Sequence, residues 1–109
     1  MKNNLILILL LLVTNIYASV DDGKQVYLVH CASCHSISMS GGDGKDFNLV
    51  SYERTKDEIK SYTMQPNNLY KSFGYSANAM PTLPLTGNEI EDIADYIDSL
   101  QPFKKVMIK

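Results

Sequence analysis

The chain has no tryptophan, and its 109 residues include only two cysteines and two histidines. All four lie within six positions, as His30, Cys31, Cys34 and His35. A structural zinc site needs four ligands that converge from separate segments, so these neighbours cannot close a zinc tetrahedron within one chain. A disulfide between cysteines three residues apart would close a very short loop and would stabilise the fold little. The scarcity of both residue types therefore argues against a zinc-stabilised or disulfide-stabilised fold.

The chain also lacks an excess of positive charge, with ten Lys and Arg against twelve Asp and Glu and a net charge of −2. Nucleic-acid-binding proteins carry basic patches, so we expect no nucleic-acid partner. The glycine-rich stretch 41–44 is not followed by Gly-Lys-Ser/Thr, and no strand is predicted before it. Both features are needed for a phosphate-binding loop, so the stretch is not interpreted as a nucleotide site.

The N-terminus has the pattern of a secretory signal peptide. Lys2 precedes an unbroken apolar run over 5–13, and Ala18 is a small residue at a suitable place for cleavage. We expect residues 1–18 to be removed and 19–109 to form one small periplasmic domain. Retention of the segment as an uncleaved membrane anchor is the alternative, although its apolar run is short for a membrane span.

The motif Cys31-Ala32-Ser33-Cys34-His35 predicts the covalent attachment of a c-type haem. On one helical turn, residues three apart share a face, so Cys31 and Cys34 can form thioethers with one porphyrin edge. A histidine directly after the second cysteine is placed to be the proximal ligand of the iron. A dithiol oxidoreductase is the alternative, but it would need a strand before the motif within an alternating β-α pattern, and neither is visible.

Hydrophobic periodicity and end signals predict helices and no strands. The first helix is expected over 22–31, capped by Asp21 or Asp22, and a flexible loop over 36–46 follows it. Capping boxes at Thr55/Glu58 and Thr86/Glu89 predict two further helices, the first ending before Pro66 and the second near Pro102. A short helical piece is expected over 67–73. The apolar positions predicted for the first and last helices are Val26, Tyr27, Val29, Cys31, Ile90, Ile93, Ala94, Ile97 and Leu100.

Met80 is the best candidate for a second axial ligand of the iron. It precedes Pro81 in the segment 76–85, whose two prolines favour an extended conformation. We call this segment the Met80 strap, because it can carry a thioether across the open haem face. Met64 is interpreted as core filling and is the alternative methionine, and an iron without a methionine ligand is the remaining alternative. The basic and apolar tail after Pro102 is expected to be frayed or docked on the domain.

These motifs resemble those of class I c-type cytochromes, the small monohaem electron carriers, over essentially the whole mature chain. The resemblance rests on Cys31-x-x-Cys34-His35, on Met80-Pro81 and on the closing amphipathic helix. It implies an all-α fold of three to five helices around one covalent haem, with the N- and C-terminal helices crossing. Four residues match the family's crossing positions, namely Gly23, Tyr27, Ile93 and Tyr96.

The sequence departs from that family at two places. The family often has Gly-Pro-x-Leu after the attachment motif, and the proline carbonyl accepts a hydrogen bond from the proximal histidine. Asp46-Phe47-Asn48-Leu49 stands here instead, so Phe47 replaces the proline. Because any residue supplies a carbonyl, we expect the bond to survive and to fix the His35 tautomer. A tryptophan that contacts a haem propionate is also missing, and four tyrosines remain as candidates: Tyr52, Tyr62, Tyr70 and Tyr75.

The sequence therefore predicts a periplasmic electron carrier and not an enzyme. One covalent haem c would cycle between Fe(II) and Fe(III), with His35 and Met80 as axial ligands. The expected partners are redox proteins that dock transiently on a monomer, and membrane contact is expected only if residues 1–18 are retained. The alternative is a haem subunit of a larger periplasmic oxidoreductase, in sulfur-compound oxidation or terminal oxidation. A small haem enzyme or sensor with an open coordination site is a further alternative.

Overall fold

The computed structural model describes residues 19–103 and shows five helices and no strand among them. Helix α1 is α-helical over 19–26 and continues as a π-helical turn over Tyr27–Cys31. The remaining helices are α2 (Phe47–Glu53), α3 (Lys56–Met64), α4 (Pro66–Leu69) and α5 (Gly87–Leu100). The predicted all-α class is confirmed, and the predicted helix after Pro66 is shorter than expected.

Helix α1 already includes residue 19, so the prediction that Asp21 or Asp22 caps it is wrong. Both aspartates are exposed within the helix. The physical reason is a tertiary contact: the Ser19 hydroxyl donates to the carboxylates of Asp92 and Asp95 on α5. These bonds tie residue 19 of α1 to α5, and a local capping rule does not detect such a contact between helices.

Helices α1 and α5 meet at Gly23, as the family resemblance implies. A Cβ atom on Gly23 would lie 2.0 Å from the backbone oxygen of Asp92 and 2.6 Å from Cβ of Tyr96. One turn further along α1, the ring of Tyr27 lies 5.7 Å from the ring of Tyr96, measured between centroids. The predicted crossing of the first and last helices is therefore confirmed at these residues.

Helix α2 was not predicted from the sequence. Its N-cap is Asp46, whose carboxylate accepts a 2.8 Å hydrogen bond from the backbone N–H of Asn48. Aspartate is a preferred N-cap residue, so Asp46 was the signal in the sequence from which α2 could have been predicted. The buried Ser51 joins α2 to α5, because its hydroxyl donates to the Asp98 carbonyl at 3.4 Å and accepts from the Gln101 N–H at 3.1 Å.

Both predicted capping boxes are present, at Thr55/Glu58 before α3 and at Thr86/Glu89 before α5. The two helices pack together, and ion pairs cross between them. Lys60 lies 2.6 Å and Lys56 lies 2.9 Å from the Glu91 carboxylate, and Lys56 also pairs with Asp95. Hydrogen bonds from Lys60 and Lys56 lower the pKa of Glu91 to about 2, so the pairs persist through mildly acidic conditions.

The core follows the predicted stripe of α5 and one face of α1. Ile93, Ala94 and Ile97 are buried together with Val26. Two predicted assignments are wrong. Val29 is 74% exposed, because it lies on the outer face of α1, and Met64 is 53% exposed at the last position of α3 instead of filling the core. In the described part of the chain, nine hydrophobic residues are buried: Val26, Tyr27, Cys31, Phe47, Ile59, Ile93, Ala94, Tyr96 and Ile97.

The Met80 strap contains no regular secondary structure, as its prolines predict. Among residues 19–103, no helix combines the length and the apolar character needed to cross a membrane. Phe103 is 75% exposed, so it is not docked on the domain. The predictions for the signal peptide at 1–18 and for the tail at 104–109 lie outside the described residues.

Candidate functional site

The two thiols and the histidine of the attachment motif lie on one turn at the end of α1. The N–H groups of Cys34 and His35 donate to the Cys31 carbonyl at 3.1 Å and 2.9 Å, which closes the turn. Cys31 is buried and Cys34 is exposed, and both are free thiols. A buried and an exposed sulfur three residues apart suit a group that is held at one edge and reaches into the fold.

The Cys31 thiol does not have the low pKa of a redox-active cysteine. Burial, with a further contribution from the nearby Cys34, raises its pKa to about 11. Redox-active cysteines instead have lowered pKa values that make them thiolates near neutral pH. The environment of Cys31 therefore argues against the dithiol alternative. Among residues 19–103, no cluster of three or more His, Cys, Asp or Glu side chains is placed to hold a metal ion.

The imidazole of His35 is held in one tautomer. Its Nδ1 lies 2.7 Å from the backbone carbonyl of Lys45. A carbonyl can only accept, so Nδ1 carries the proton and Nε2 keeps its lone pair. Nε2 makes no hydrogen bond to another described residue, which leaves it available as a metal ligand. The expected bond to the histidine is present, but its acceptor is Lys45 and not residue 47, which stands at the family's proline.

The reason for the changed acceptor is the position of Phe47. Phe47 begins α2, and its ring stacks on the imidazole of His35 with centroids 4.5 Å apart and an interplanar angle of 21°. The Phe47 ring thus occupies the space beside the imidazole of His35. Lys45, shortly before α2, supplies the carbonyl that accepts from Nδ1. Phe47 remains a support for His35, through its side chain instead of its backbone.

Glycine and tyrosine complete the surroundings of His35. A Cβ atom on Gly44 would lie 2.4 Å from Cε1 of the imidazole, so only glycine fits there without displacing the ring. The N–H of Gly44 donates to the Cys34 carbonyl at 2.7 Å. From the other direction, the Tyr27 hydroxyl donates to the His35 carbonyl at 2.7 Å. Sequence reasoning did not identify Gly44 or Lys45, because their roles depend on the path of an irregular loop.

The loop that carries these residues is fixed by a buried carboxylate, contrary to the prediction of a flexible segment. Asp46 is 7% exposed and accepts hydrogen bonds from the Ser36 hydroxyl and from the Met39 N–H at 2.7 Å, besides capping α2. Burial alone would raise the pKa of Asp46, but the hydrogen bonds from Ser36, Asn48 and Met39 outweigh it and lower that pKa. An ionised Asp46 therefore holds both ends of the loop together.

Met80 lies on a different segment from the motif and is half-buried in the middle of its strap. The other methionines among the described residues are more exposed, at 59% for Met39 and 53% for Met64. Thioether sulfur and imidazole nitrogen are both ligands that haem iron accepts. The donor set of the chain, with two free thiols, one available Nε2 and a half-buried thioether, fits a covalently attached haem.

The tyrosines considered for a propionate contact occupy different places. Tyr62 and Tyr75 pack on Phe73, with centroid distances of 5.0 Å from Tyr62 to Phe73 and 6.4 Å from Phe73 to Tyr75. Tyr52 is 47% exposed, and it lines a shallow surface depression of about 510 Å³ with Met39 and Leu49. Tyr62 on α3 and Tyr75 thus pack around Phe73, at the segment that leads into the strap.

Comparison with known proteins gives one family and one group of relatives. The family model for cytochrome c matches residues 20–101. The cbb3-type cytochrome c oxidase subunit CcoP of Helicobacter pylori strain ATCC 700392 / 26695 is 35% identical over 81 residues, which cover 72% of this chain and 26% of the relative. CcoP of strain 52 matches equally well and is covered to 25%. The chain therefore spans about a quarter of these relatives, and no solved structure matches it.

The family match covers the helices, the attachment turn and the strap together. It agrees with the helical fold and with a donor set that suits a haem. Members of the family carry covalently attached haem c and transfer electrons, which is the class of activity that the sequence predicted. On the family model and the fold together, this chain belongs to the cytochrome c family.

Proposed function

We propose that this chain is a periplasmic haem c domain that passes single electrons within a terminal oxidase complex. Cys31 and Cys34 would hold one haem through thioethers, and His35 and Met80 would be its axial ligands. The observation that carries the proposal is the hydrogen bond of 2.7 Å from His35 Nδ1 to the Lys45 carbonyl, which leaves Nε2 free beside two free thiols. Export by residues 1–18 is part of the proposal, since such haems are attached outside the cytoplasm.

The residues of the chain suit rapid electron transfer. The bound haem would supply a one-electron change between Fe(II) and Fe(III). The Lys45 carbonyl raises the basicity of His35, and the Phe47 ring and Gly44 keep the imidazole from turning. A thioether ligand from Met80 would favour the ferrous state and would leave no open position for a substrate. Electrons can then enter and leave with little rearrangement of the protein.

Two observations favour a subunit of a complex over a freely diffusing carrier. The similar curated proteins are all named as subunits of a cbb3-type oxidase. In addition, Leu28 and Val29 are 54% and 74% exposed on α1, and only His30 separates them from the attachment motif. Large exposed apolar side chains beside a redox site suit a protein contact. A carrier that docks transiently is the second candidate and is an outcome of the test below.

The first test examines the haem and its ligands. A pyridine haemochrome assay on denatured protein should show one covalent haem per chain. The ferric protein should show the weak red charge-transfer band of a methionine-to-iron bond, and Met80→Ala should abolish it. Met39→Ala and Met64→Ala are matched controls that should keep the band, because both side chains are exposed. Absence of covalent haem would refute the whole proposal, whereas loss of the band in Met64→Ala would assign the ligand to Met64.

The second test examines the assembly. Native gels and size exclusion of solubilised membranes and of periplasmic extract should place the tagged chain in a large complex with cytochrome oxidase activity. Recovery of the haem-loaded chain only at the size of a single tagged chain, in the periplasmic fraction, would instead establish the free carrier. The same purified chain gives its N-terminus by mass spectrometry, which decides whether cleavage occurs after Ala18.

A further inference from the structure

Arg54 is the only arginine of the chain, and its guanidinium lies where two segments meet. It follows α2 directly, and its backbone N–H donates to the Val50 carbonyl at 2.9 Å. Since Ser51 fastens α2 to α5, the backbone of Arg54 belongs to the rigid part of the fold. Its side chain reaches away from that part to the segment before the Met80 strap.

The guanidinium contacts this segment through a hydrogen bond and through aromatic rings, and it also pairs with Glu58 on α3. One Nη atom donates to the Phe73 carbonyl at 2.7 Å, and the other lies 3.3 Å from the Glu58 carboxylate. The central carbon of the guanidinium lies 4.3 Å from the centroid of the Phe73 ring and 6.0 Å from that of Tyr75. A charged hydrogen bond combined with cation–π contacts makes this a strong local attachment.

Tyr62 supports the same segment from α3. Its ring contacts the ring of Phe73 at 5.0 Å and that of Tyr75 at 5.3 Å, the latter edge to face. Gly74 lies between Phe73 and Tyr75 and has a φ of +85°, a conformation that favours glycine and turns the chain after Phe73. Backbone hydrogen bonds to residues 69–71 shape residues 73–75 as a turn after α4. The side chains of Arg54 and Tyr62 attach this turn to the rest of the fold.

The strap that begins there has little else to hold it. Residues 76–81 make no hydrogen bond to any other described residue, and the next bond is a weak one of 3.4 Å from Asn67 to the Thr82 hydroxyl. Regular structure resumes only with the capping box at Thr86. A segment with so few hydrogen bonds opens easily unless its ends are fixed. Met80 lies in the middle of this unbonded stretch.

The Nε atom of Arg54 is buried and has no hydrogen-bond partner among residues 19–103. An unpaired buried donor destabilises a fold, so the remaining contacts of the guanidinium must outweigh this cost. Lysine at this position could not donate to the Phe73 carbonyl, pair with Glu58 and stack on the Phe73 ring at the same time, because it lacks the planar fork. The local geometry is therefore specific to arginine.

We propose that Arg54 is a positioning residue for the axial ligand Met80, because it clamps residues 73–75 and keeps the strap closed over the iron. The proposal rests on the function proposed above, since it requires Met80 to be a ligand. Arg54 acts through the start of the strap, and its loss increases the fraction of molecules in which Met80 has left the iron.

The test uses imidazole as an external ligand of the ferric, haem-loaded protein. Imidazole can bind only when Met80 has left, so its apparent dissociation constant is inversely proportional to the open fraction. Loss of the clamp in Arg54→Lys should increase that fraction and tighten imidazole binding about tenfold. Lys71→Gln is the matched control. It removes an exposed cation that lies 5.9 Å from the Tyr70 ring, and it should change the binding by less than about twofold.

A second variant and a double mutant keep the result interpretable. Phe73→Leu removes the ring but keeps the carbonyl, and it should tighten imidazole binding about threefold, even if Arg54→Lys proves too unstable to study. In the Met80→Ala background, Arg54→Lys should have no further effect, because no strap closure remains to be weakened. Equal imidazole affinity in wild type and Arg54→Lys, or an undiminished effect without Met80, would overturn the clamp. A wild-type protein without the charge-transfer band would overturn the proposed ligation itself.

Discussion

Gly23 is the residue that lets the first and last helices of the domain come into direct contact. Its neighbours are largely backbone and Cβ atoms, with the Asp92 oxygen only 2.0 Å from the position a Cβ would take. Backbone atoms cannot move aside as the end of a flexible side chain can. Any side chain at this position must therefore push α1 away from α5 and disturb the packing of Tyr27 on Tyr96.

We expect Gly23→Ala to lower the free energy of unfolding by about 1–3 kcal/mol, the range found when extra atoms are forced into a packed contact. Guanidinium unfolding followed by far-UV circular dichroism measures it. Gly87→Ala is the matched control, since a Cβ on Gly87 meets nothing within 4 Å and the residue lies at the start of α5. Its stability should stay equal or rise slightly. Equal stability of the two variants would show that the close approach at Gly23 is relaxed in solution.

At the scale of elements, the loop over 36–46 is organised by one ionised side chain, Asp46. Its folded-state pKa lies below the ordinary value of about 3.9. A group with a lowered pKa stabilises the fold fully above its unfolded pKa. That contribution is lost as the pH falls through the lower, folded value. The loop is thus expected to be held firmly at neutral pH and to loosen only in acid.

We expect Asp46→Asn to destabilise the protein at pH 7 by about 1–3 kcal/mol, because at least one buried donor loses its charged acceptor. The difference from wild type should begin to shrink below about pH 4, where Asp46 becomes protonated in the unfolded chain. It should be lost as the pH falls through the lower pKa of the folded state. Urea unfolding from pH 7 to pH 2.5 measures both effects. Asp43→Asn is a suitable control in the same loop, because Asp43 is exposed. A difference that stays constant across this pH range would contradict an ionised Asp46 in the folded state.

Local signals explain which elements the sequence could predict. The boxes at Thr55 and Thr86 satisfy helix ends with residues three apart, so they can be identified without knowing the fold. Helix α2 has only seven residues and no periodic stripe, and its stability comes from the hydrogen bonds that join its Ser51 to the end of α5. Such support from distant residues is invisible in a local pattern.

The same distinction applies to the candidate site. The attachment motif and the Met80 strap are each a continuous stretch of sequence, so the prediction of a haem and of its ligands could be made from the residues alone. The carbonyl that accepts from His35 could not, because every residue has one and only the loop path selects Lys45. Arg54 was also missed, since its partners lie about twenty residues away, at Phe73 and Tyr75.

At the scale of the whole molecule, the core is small for an independent domain. Only nine hydrophobic residues are buried among the described residues, and one of them is Cys31. Domains of this size often depend on a bound group for part of their stability. A haem held by the motif would supply apolar surface next to α1 and the strap, so folding and haem attachment should be coupled.

We expect the double variant Cys31→Ala, Cys34→Ala to lose covalent haem and to unfold at a markedly lower temperature, with a broad transition. Circular dichroism melting and a pyridine haemochrome assay after denaturation measure the two effects together. Cys34→Ala alone should keep one thioether and an intermediate stability, because Cys31 is the buried thiol. A sharp, unchanged transition in the double variant would show that the polypeptide reaches its stability without the haem.

The π-helical turn over Tyr27–Cys31 sets the rotational phase between the two halves of α1. Its backbone bond from Ala32 to the Tyr27 carbonyl spans five residues, one more than an α-helix uses. The turn thus accommodates one residue beyond a regular helix, and Val29 is an exposed residue within it. Deleting one residue here would restore a regular helix but rotate the attachment motif by about 100° relative to Gly23. The length of this short stretch therefore determines which way the haem faces relative to the helix crossing.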